Sequence, residues 1–233
     1  LLNTFEVLIF LILLVVLADL DNLKETMFRP DLIKDQFPKI ITQAAKNTLI
    51  FTISGFAGGS ILGLILALMK LSNFSFYRII SSVYIDVIRG LPAILILIFI
   101  AYGLPIAFGV RIPGDYSKGI LALSIVSSAY IAEVIRSGIQ AIPSGQREAA
   151  EALGMSRIMI YYKIILPQAF RNMLPALGND FISMMKDSSL LSVLAVEDLT
   201  YRGRLYSGST FRFAETYSVL TVLYLSLIHI SEP

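Results

Sequence analysis

Hydrophobic and polar positions follow one another along this chain in long blocks, without the short periods of a soluble domain. Asn47 to Met69 is free of charge for 23 residues and Gly90 to Val110 for 21. A membrane-crossing helix needs ~20 mostly apolar residues. Helices apolar on every side have no place on a soluble surface. The blocks predict six spans: Leu1–Ala18, Asn47–Met69, Gly90–Val110, Gly119–Ile135, Asn172–Val196 and Thr216 to about Ile230. The first carries one charge, Glu6, and lacks the positive stretch that opens a signal peptide, so it reads as a membrane helix cut at its start. The expected fold class is all-α, a polytopic transmembrane helix bundle.

The segments between the blocks have their own patterns. Asp19–Lys46 holds five basic and five acidic residues, and Ile33, Phe37, Ile40, Ile41, Ala44 and Ala45 recur near a helical period. That predicts an amphipathic segment lying at the membrane interface. Gly55, Gly59, Gly63 and Ala67 place four small residues on one face of their span, where a neighbouring helix can come close. Lys70–Arg89 reads as a polar connection and then an amphipathic stretch, and Gly90-Leu91-Pro92 bends the chain into the next span. Gly103–Lys118 and Glu197–Glu215 read as loops. Glu133 and Arg136, three residues apart on a helix, are expected to pair as a structural ion pair. Arg89 reads equally as a snorkelling charge or as a direct participant in function.

Composition supports the blocks: 56% of the residues are hydrophobic and 15% charged, where soluble domains carry about a quarter charged. There is no cysteine, so thiolate metal sites, disulfides and cysteine nucleophiles are excluded. The one histidine, His229, has no second histidine with which to build a metal or acid–base cluster, and no catalytic or metal site is expected. A net charge of +2 gives no reason to expect nucleic acid. The pattern GxxxxGK[ST] is missing, so this chain does not hydrolyse ATP through a P-loop. Basic residues do not orient the bundle: segments 70–89 and 136–171 hold 8, and segments 19–47, 102–118 and 197–215 hold 10.

One hydrophilic stretch carries more specific information. Glu148 to Leu153 consists of helix formers, Gly154 can adopt the left-handed conformation that ends a helix, and Ser156 can cap a second helix. Pro167 is expected to stop or kink that second helix. The product is a helix–turn–helix knob outside the membrane, offering Glu148 and Glu151 beside small alanines. Its residues match a family pattern at every fixed position: Glu148, Ala149 and Ala150, then Gly154, then Ile164, Leu166 and Pro167. The stretch resembles the EAA loop of the membrane subunits of ATP-binding-cassette importers. The words Ile88-Arg89-Gly90-Leu91-Pro92, Ala129-Tyr130-Ile131-Ala132-Glu133, Gly138–Pro143 and Met185–Leu190 resemble permeases of the polar amino acid uptake group. That group more often has Thr where Leu91 and Ser188 stand. The resemblance covers about residues 40–225.

The resemblance implies a five-helix type I importer core, with helices near 46–69, 87–110, 119–136, 172–196 and 213–230. The domain reading is an additional membrane helix over 1–18, the interfacial segment over 19–45, the importer domain over 46–230, and a foreign tail over 231–233. The EAA loop, about 137–171, would be cytoplasmic. The implied function is ATP-driven import of polar amino acids by alternating access, in the cytoplasmic (inner) membrane of a prokaryote. The partners would be two ATPase subunits that bind ATP and Mg, a second permease subunit (identical or a paralogue) and an extracytoplasmic amino acid-binding protein, all around a chain with no cofactor or enzymatic step of its own. Rival readings are a secondary transporter driven by an ion gradient, and a non-transporting membrane scaffold. The first expects inverted repeats and midplane carboxylates; no clear repeat is present. The second leaves Asp180, Lys186 and Asp187 inside a span without purpose. Asp180, Ser183 and Asp187 share a helical face, with Lys186 at its edge and Ser188 and Ser189 following. These six are the substrate-pathway candidates, since a zwitterion needs both an acceptor and a donor. An internal Lys–Asp network that only holds the gate shut is the alternative.

Overall fold

The computed structural model describes residues 40–231, together with the isolated positions Leu13 and Lys34. The expected first span, most of the interfacial segment and the last two residues of the tail lie outside the described residues. Among the described residues three helices are long and apolar enough to cross a membrane: Thr42–Leu71, Gly114–Gln140 and Phe213–Ile230. The first comprises a π-helical turn, Ile40–Ala45, running into α1, Lys46–Leu71. The others are α4, Gly114–Gln140, and α9, Phe213–Ser231. A further crossing is broken: α2, Ser75–Gly90, and α3, Ala93–Phe108, meet at an angle of 112°.

The break has a local cause. Pro92 has no N–H and crowds the residue before it, so Leu91 is extended at φ −105°, ψ 148°. The expected span over 87–110 is therefore two helices divided at Gly90–Pro92. Their packing places the break at mid-bundle. On α2, Ile85 is buried against Ala67, Ala129 and Ala132. On α3, Leu97 and Ile100 join Phe51, Leu123 and Leu194 towards the other end of α1 and α4.

The small-residue face of α1 lies against α4. Gly55, Gly59, Gly63 and Ala67 are all buried. A Cβ on Gly63 would stand 3.0 Å from the Ser128 carbonyl oxygen and 3.1 Å from the Ala132 nitrogen. Backbone therefore approaches backbone there, the contact that stabilises helix pairs where lipid supplies no hydrophobic drive. Tyr84 of α2 ties onto the same helix, its hydroxyl 2.9 Å from Ser128 Oγ.

Several boundaries differ from the sequence expectation. The expected loop at 103–118 is mostly helical, since α3 runs to Phe108 and α4 begins at Gly114. The charges at the ends of α4 sit on an extension of the helix beyond its apolar centre. The expected loop at 197–215 contains α8, Leu199–Thr210. Asp198 starts it, accepting from the backbone N–H of Tyr201 at 2.8 Å and of Thr200 at 3.2 Å. Pro167 does not stop the helix. A short α6, Arg157–Ile160, passes through a π-turn, Tyr161–Ile165, into α7, Leu166–Asp187, and Pro167 sits in the first turn of α7. The chain continues from α7 into a 3₁₀ stretch, Ser188–Leu194. The expected span over 172–196 thus begins earlier and changes its winding at Ser188.

Candidate functional site

The helix–turn–helix knob is α5, Ser144–Ala152, followed by α6. The turn closes by two reverse hydrogen bonds, Met155 N–H to the Ala150 carbonyl at 3.1 Å and Gly154 N–H to the Glu151 carbonyl at 2.9 Å. This is the Schellman arrangement, and Gly154 holds the left-handed position at φ +75°. Ser156 caps α6 by accepting from the Met159 N–H. Ala150 is buried against Ile160 and Ile165 and fixes the knob to the bundle. Ile164 packs on the same cluster. Glu148, Ala149, Gly154, Leu166 and Pro167 are exposed. Glu151 is exposed and paired with Arg147 at 3.4 Å. Leu153 and Ile158 are 82% and 83% exposed on this otherwise polar knob. The family pattern does not mark these two apolar side chains, and from the sequence they read as ordinary helix positions.

Glu133 and Arg136 pair at 2.7 Å, at the same end of the bundle as the knob. Lys70, at the end of α1, binds the other oxygen of Glu133 at 2.5 Å. Arg136 also donates to Gln140. The pair expected from the sequence is therefore a network joining α1 to α4. Lys70 is 63 positions from Glu133, beyond any helical spacing rule.

Helix α7 runs antiparallel to α4. Gly138 of α4 sits against Met173 and Ala169, whereas Leu123 and Met184 meet at Gly55. Its buried face carries Met173, Ile182, Met184 and Met185. Its exposed face carries Asn172, Asn179, Ser183 and Lys186. Two of these, Asn172 and Asn179, are absent from the sequence-based candidates; their spacing of seven on a helix was the available signal. Asp180 and Asp187 are half-buried at the border of this face, as is Ser189. Ser188 is buried and donates to the Met185 carbonyl at 2.7 Å, so it faces the core. A polar stripe of this kind is unsuited to lipid and suits water or a polar partner surface. Among the described residues no three His, Cys, Asp or Glu side chains converge as metal ligands would.

At the end of the bundle opposite the knob, Asp198 is fully buried between α1, α8 and α9. Thr48 accepts from the Leu199 N–H at 3.1 Å, and Asn47 donates to the Glu197 carbonyl at 2.8 Å. Burial pushes the Asp198 carboxyl up to about 6, against the opposing hydrogen bonds from the Tyr201 and Thr200 N–H groups.

Comparison with known proteins agrees with this arrangement. Residues 59–232 match the family described as binding-protein-dependent transport system inner membrane component. A probable glutamine ABC transporter permease protein, GlnM of Bacillus subtilis, is 39% identical over 181 residues, covering 78% of this chain and 83% of that protein. The glutamine transport system permease protein GlnP of Escherichia coli is 37% identical over 186 residues, covering 80% and 85%. A crystal structure of an amino acid ABC transporter with histidines superposes with a TM-score of 0.80 at 38% identity, covering 88% of this chain and 95% of that one. The matched region takes in the broken helix from Ser75 to Phe108, the knob at α5–α6 and the polar face of α7, and the chain belongs to the family of binding-protein-dependent transport system inner membrane components.

Proposed function

We propose that this chain is the membrane-spanning subunit of an ATP-driven importer of polar amino acids. The α5–α6 knob faces the cytoplasm and docks in a groove of a separate ATPase subunit. Two permease subunits, identical or paralogous, enclose the pathway, and an extracytoplasmic binding protein delivers the amino acid. ATP and Mg are bound by the ATPase subunits, and the chain itself carries out no chemistry. The orientation puts Lys70, Glu133 and Arg136 on the cytoplasmic side of the prokaryotic inner membrane, and Asp198 on the outer side.

The observation that carries this reading is the knob. It combines a pinned base at Ala150 with an exposed crown of Glu148, Leu153 and Ile158. Exposed apolar side chains on a charged, extramembrane projection suit a partner surface. Closure of the ATPases draws the knobs together, and the continuous path from α6 through the π-turn at Tyr161–Ile165 into α7 passes that motion to the pathway. This is rigid-element rocking about packed interfaces. Of the candidates on α7, Ser183 and Lys186 line the pathway on the exposed face, with Asp180 and Asp187 at its edge and Ser189 beyond it. The Glu133 network holds α1 and α4 as one body.

Co-purification from detergent tests the docking. The chain with its ATPase subunit is expected to elute as one complex. Glu148→Lys together with Leu153→Asp is expected to elute as free permease with an unchanged helical spectrum. Retention of the ATPase by that double variant would refute the docking assignment.

A further inference from the structure

A cleft of about 250 Å³ lies where the turn after α1 meets the knob. Leu71 and Asn73 line it from the turn, Arg147 and Glu151 from α5, Arg157 from α6 and Tyr161 from the π-turn. Glu148, Leu153 and Ile158, the crown of the knob, are not part of it. Glu151 takes Arg147 at 3.4 Å, whereas Arg157 is exposed and forms no ion pair among the described residues. The lining therefore carries one uncompensated positive charge. Its depth follows from α1, which is long and apolar enough to cross a membrane and ends at Leu71. Directly after Asn73, Phe74 and Phe76 are 71% and 69% exposed. Both rings meet Tyr77 edge-on, with centroids 6.1 Å and 5.8 Å away.

Exposed aromatic rings at the end of a span sit where headgroups meet acyl chains. The cationic cleft thus borders an apolar rim at the membrane surface, and a lipid has both matching parts. We infer that this cleft binds the headgroup of an anionic phospholipid, whose acyl chains lie against Phe74 and Phe76. A phosphodiester carries one negative charge, equal and opposite to that of the lining. The planar fork of Arg157 suits two phosphate oxygens at once, and the Asn73 amide and Tyr161 hydroxyl are further donors. A headgroup with its own ammonium would bring a second positive charge into the cleft and is disfavoured there. Basic pockets beside membrane helices select anionic headgroups on this principle. The inference does not depend on the importer reading; it needs only that α1 crosses the membrane and ends at Leu71.

The test uses the full chain in detergent, with bound lipid counted by native mass spectrometry. The probes are dioleoylphosphatidylglycerol, dioleoylphosphatidylcholine and, for the headgroup without acyl chains, sn-glycerol 3-phosphate. The parent is expected to bind its first phosphatidylglycerol on the order of tenfold more tightly than phosphatidylcholine. Glycerol phosphate should bind far more weakly than either lipid. Arg147→Gln together with Arg157→Gln is expected to abolish the preference for phosphatidylglycerol. Arg157→Gln alone, at an exposed position whose loss leaves the fold intact, should lower it several-fold. Arg111→Gln removes the same charge at the opposite end of the bundle and should leave the preference as it is. A parent without the preference, or variants that keep it, would overturn the inference. So would an equal loss with Arg111→Gln, which would mark a response to overall charge. Glycerol phosphate bound as tightly as phosphatidylglycerol would make this a site for a free anion and refute the lipid. Arginine variants that keep the preference but no longer co-purify with the ATPase subunit would assign the cleft to subunit docking instead.

Discussion

Gly63→Ala is expected to loosen the α1–α4 pair. Its new methyl would stand 3.0 Å from the Ser128 carbonyl oxygen, 3.1 Å from the Ala132 nitrogen and 3.0 Å from Ile131 Cγ2. Two of these neighbours are backbone, so no side chain can swing aside and the helices must part by a few tenths of an ångström. Forcing a methylene into a packed interface costs about 1–3 kcal/mol. Alanine in place of glycine returns up to about 1 kcal/mol of helix propensity. Gly178→Ala separates the two effects, because a Cβ there meets nothing within 4 Å. It should gain the propensity without the clash. The difference between the variants, about 1–3 kcal/mol, corresponds to several degrees of apparent melting temperature for a chain of this size. Thermal unfolding of both proteins in the same detergent, at one scan rate, reads that difference directly. Equal midpoints would refute the close backbone approach.

Asp198 has a carboxyl raised to about 6 by burial, above the ordinary 3.8. The native state therefore binds the proton more tightly than the unfolded chain, and this group adds stability as the pH falls from 6 towards 4, by up to about 3 kcal/mol. Asp198→Asn should flatten the pH dependence of unfolding between 4 and 6.5, and an unchanged slope would exclude the residue as its source. Glu133→Gln should destabilise by about 1–3 kcal/mol, because Lys70 and Arg136 lose a shared charged acceptor; adding Lys70→Met should cost less than the two single losses combined, as a thermal double-mutant cycle would show. Gly154→Val should strain the turn by at least about 1–2 kcal/mol and reduce transport more than insertion, because φ +75° is costly for a β-branched residue; uptake equal to the parent's would contradict the knob's role.

Local signals were legible where one short stretch determines the outcome. The small residues at 55, 59, 63 and 67 named the close face of α1, and Gly154 and Ser156 named the turn and cap of the knob. Gly90-Leu91-Pro92 named the bend, though not its angle. Helix α8 was hidden because its composition is that of a polar loop; its cap at Asp198 was the available sign. Pro167 does not stop the helix because a proline in the first turn forfeits no hydrogen bond, and a π-turn stands directly before it. Contacts between distant segments left no sequence trace. Lys70 with Glu133 and Asn47 with the Glu197 carbonyl meet only because the helices pack as they do.

Transport by the reconstituted complex tests the proposed function most directly. Liposomes would contain this permease, its ATPase subunits and, in the lumen, a binding protein charged with radiolabelled amino acid, so that import runs outward to a medium supplied with ATP. Export of label into that medium is expected only with ATP and Mg present, unaffected by collapse of the proton and sodium gradients, and abolished by the Glu148→Lys and Leu153→Asp double substitution. Label movement that follows an imposed ion gradient and proceeds without ATP would contradict it.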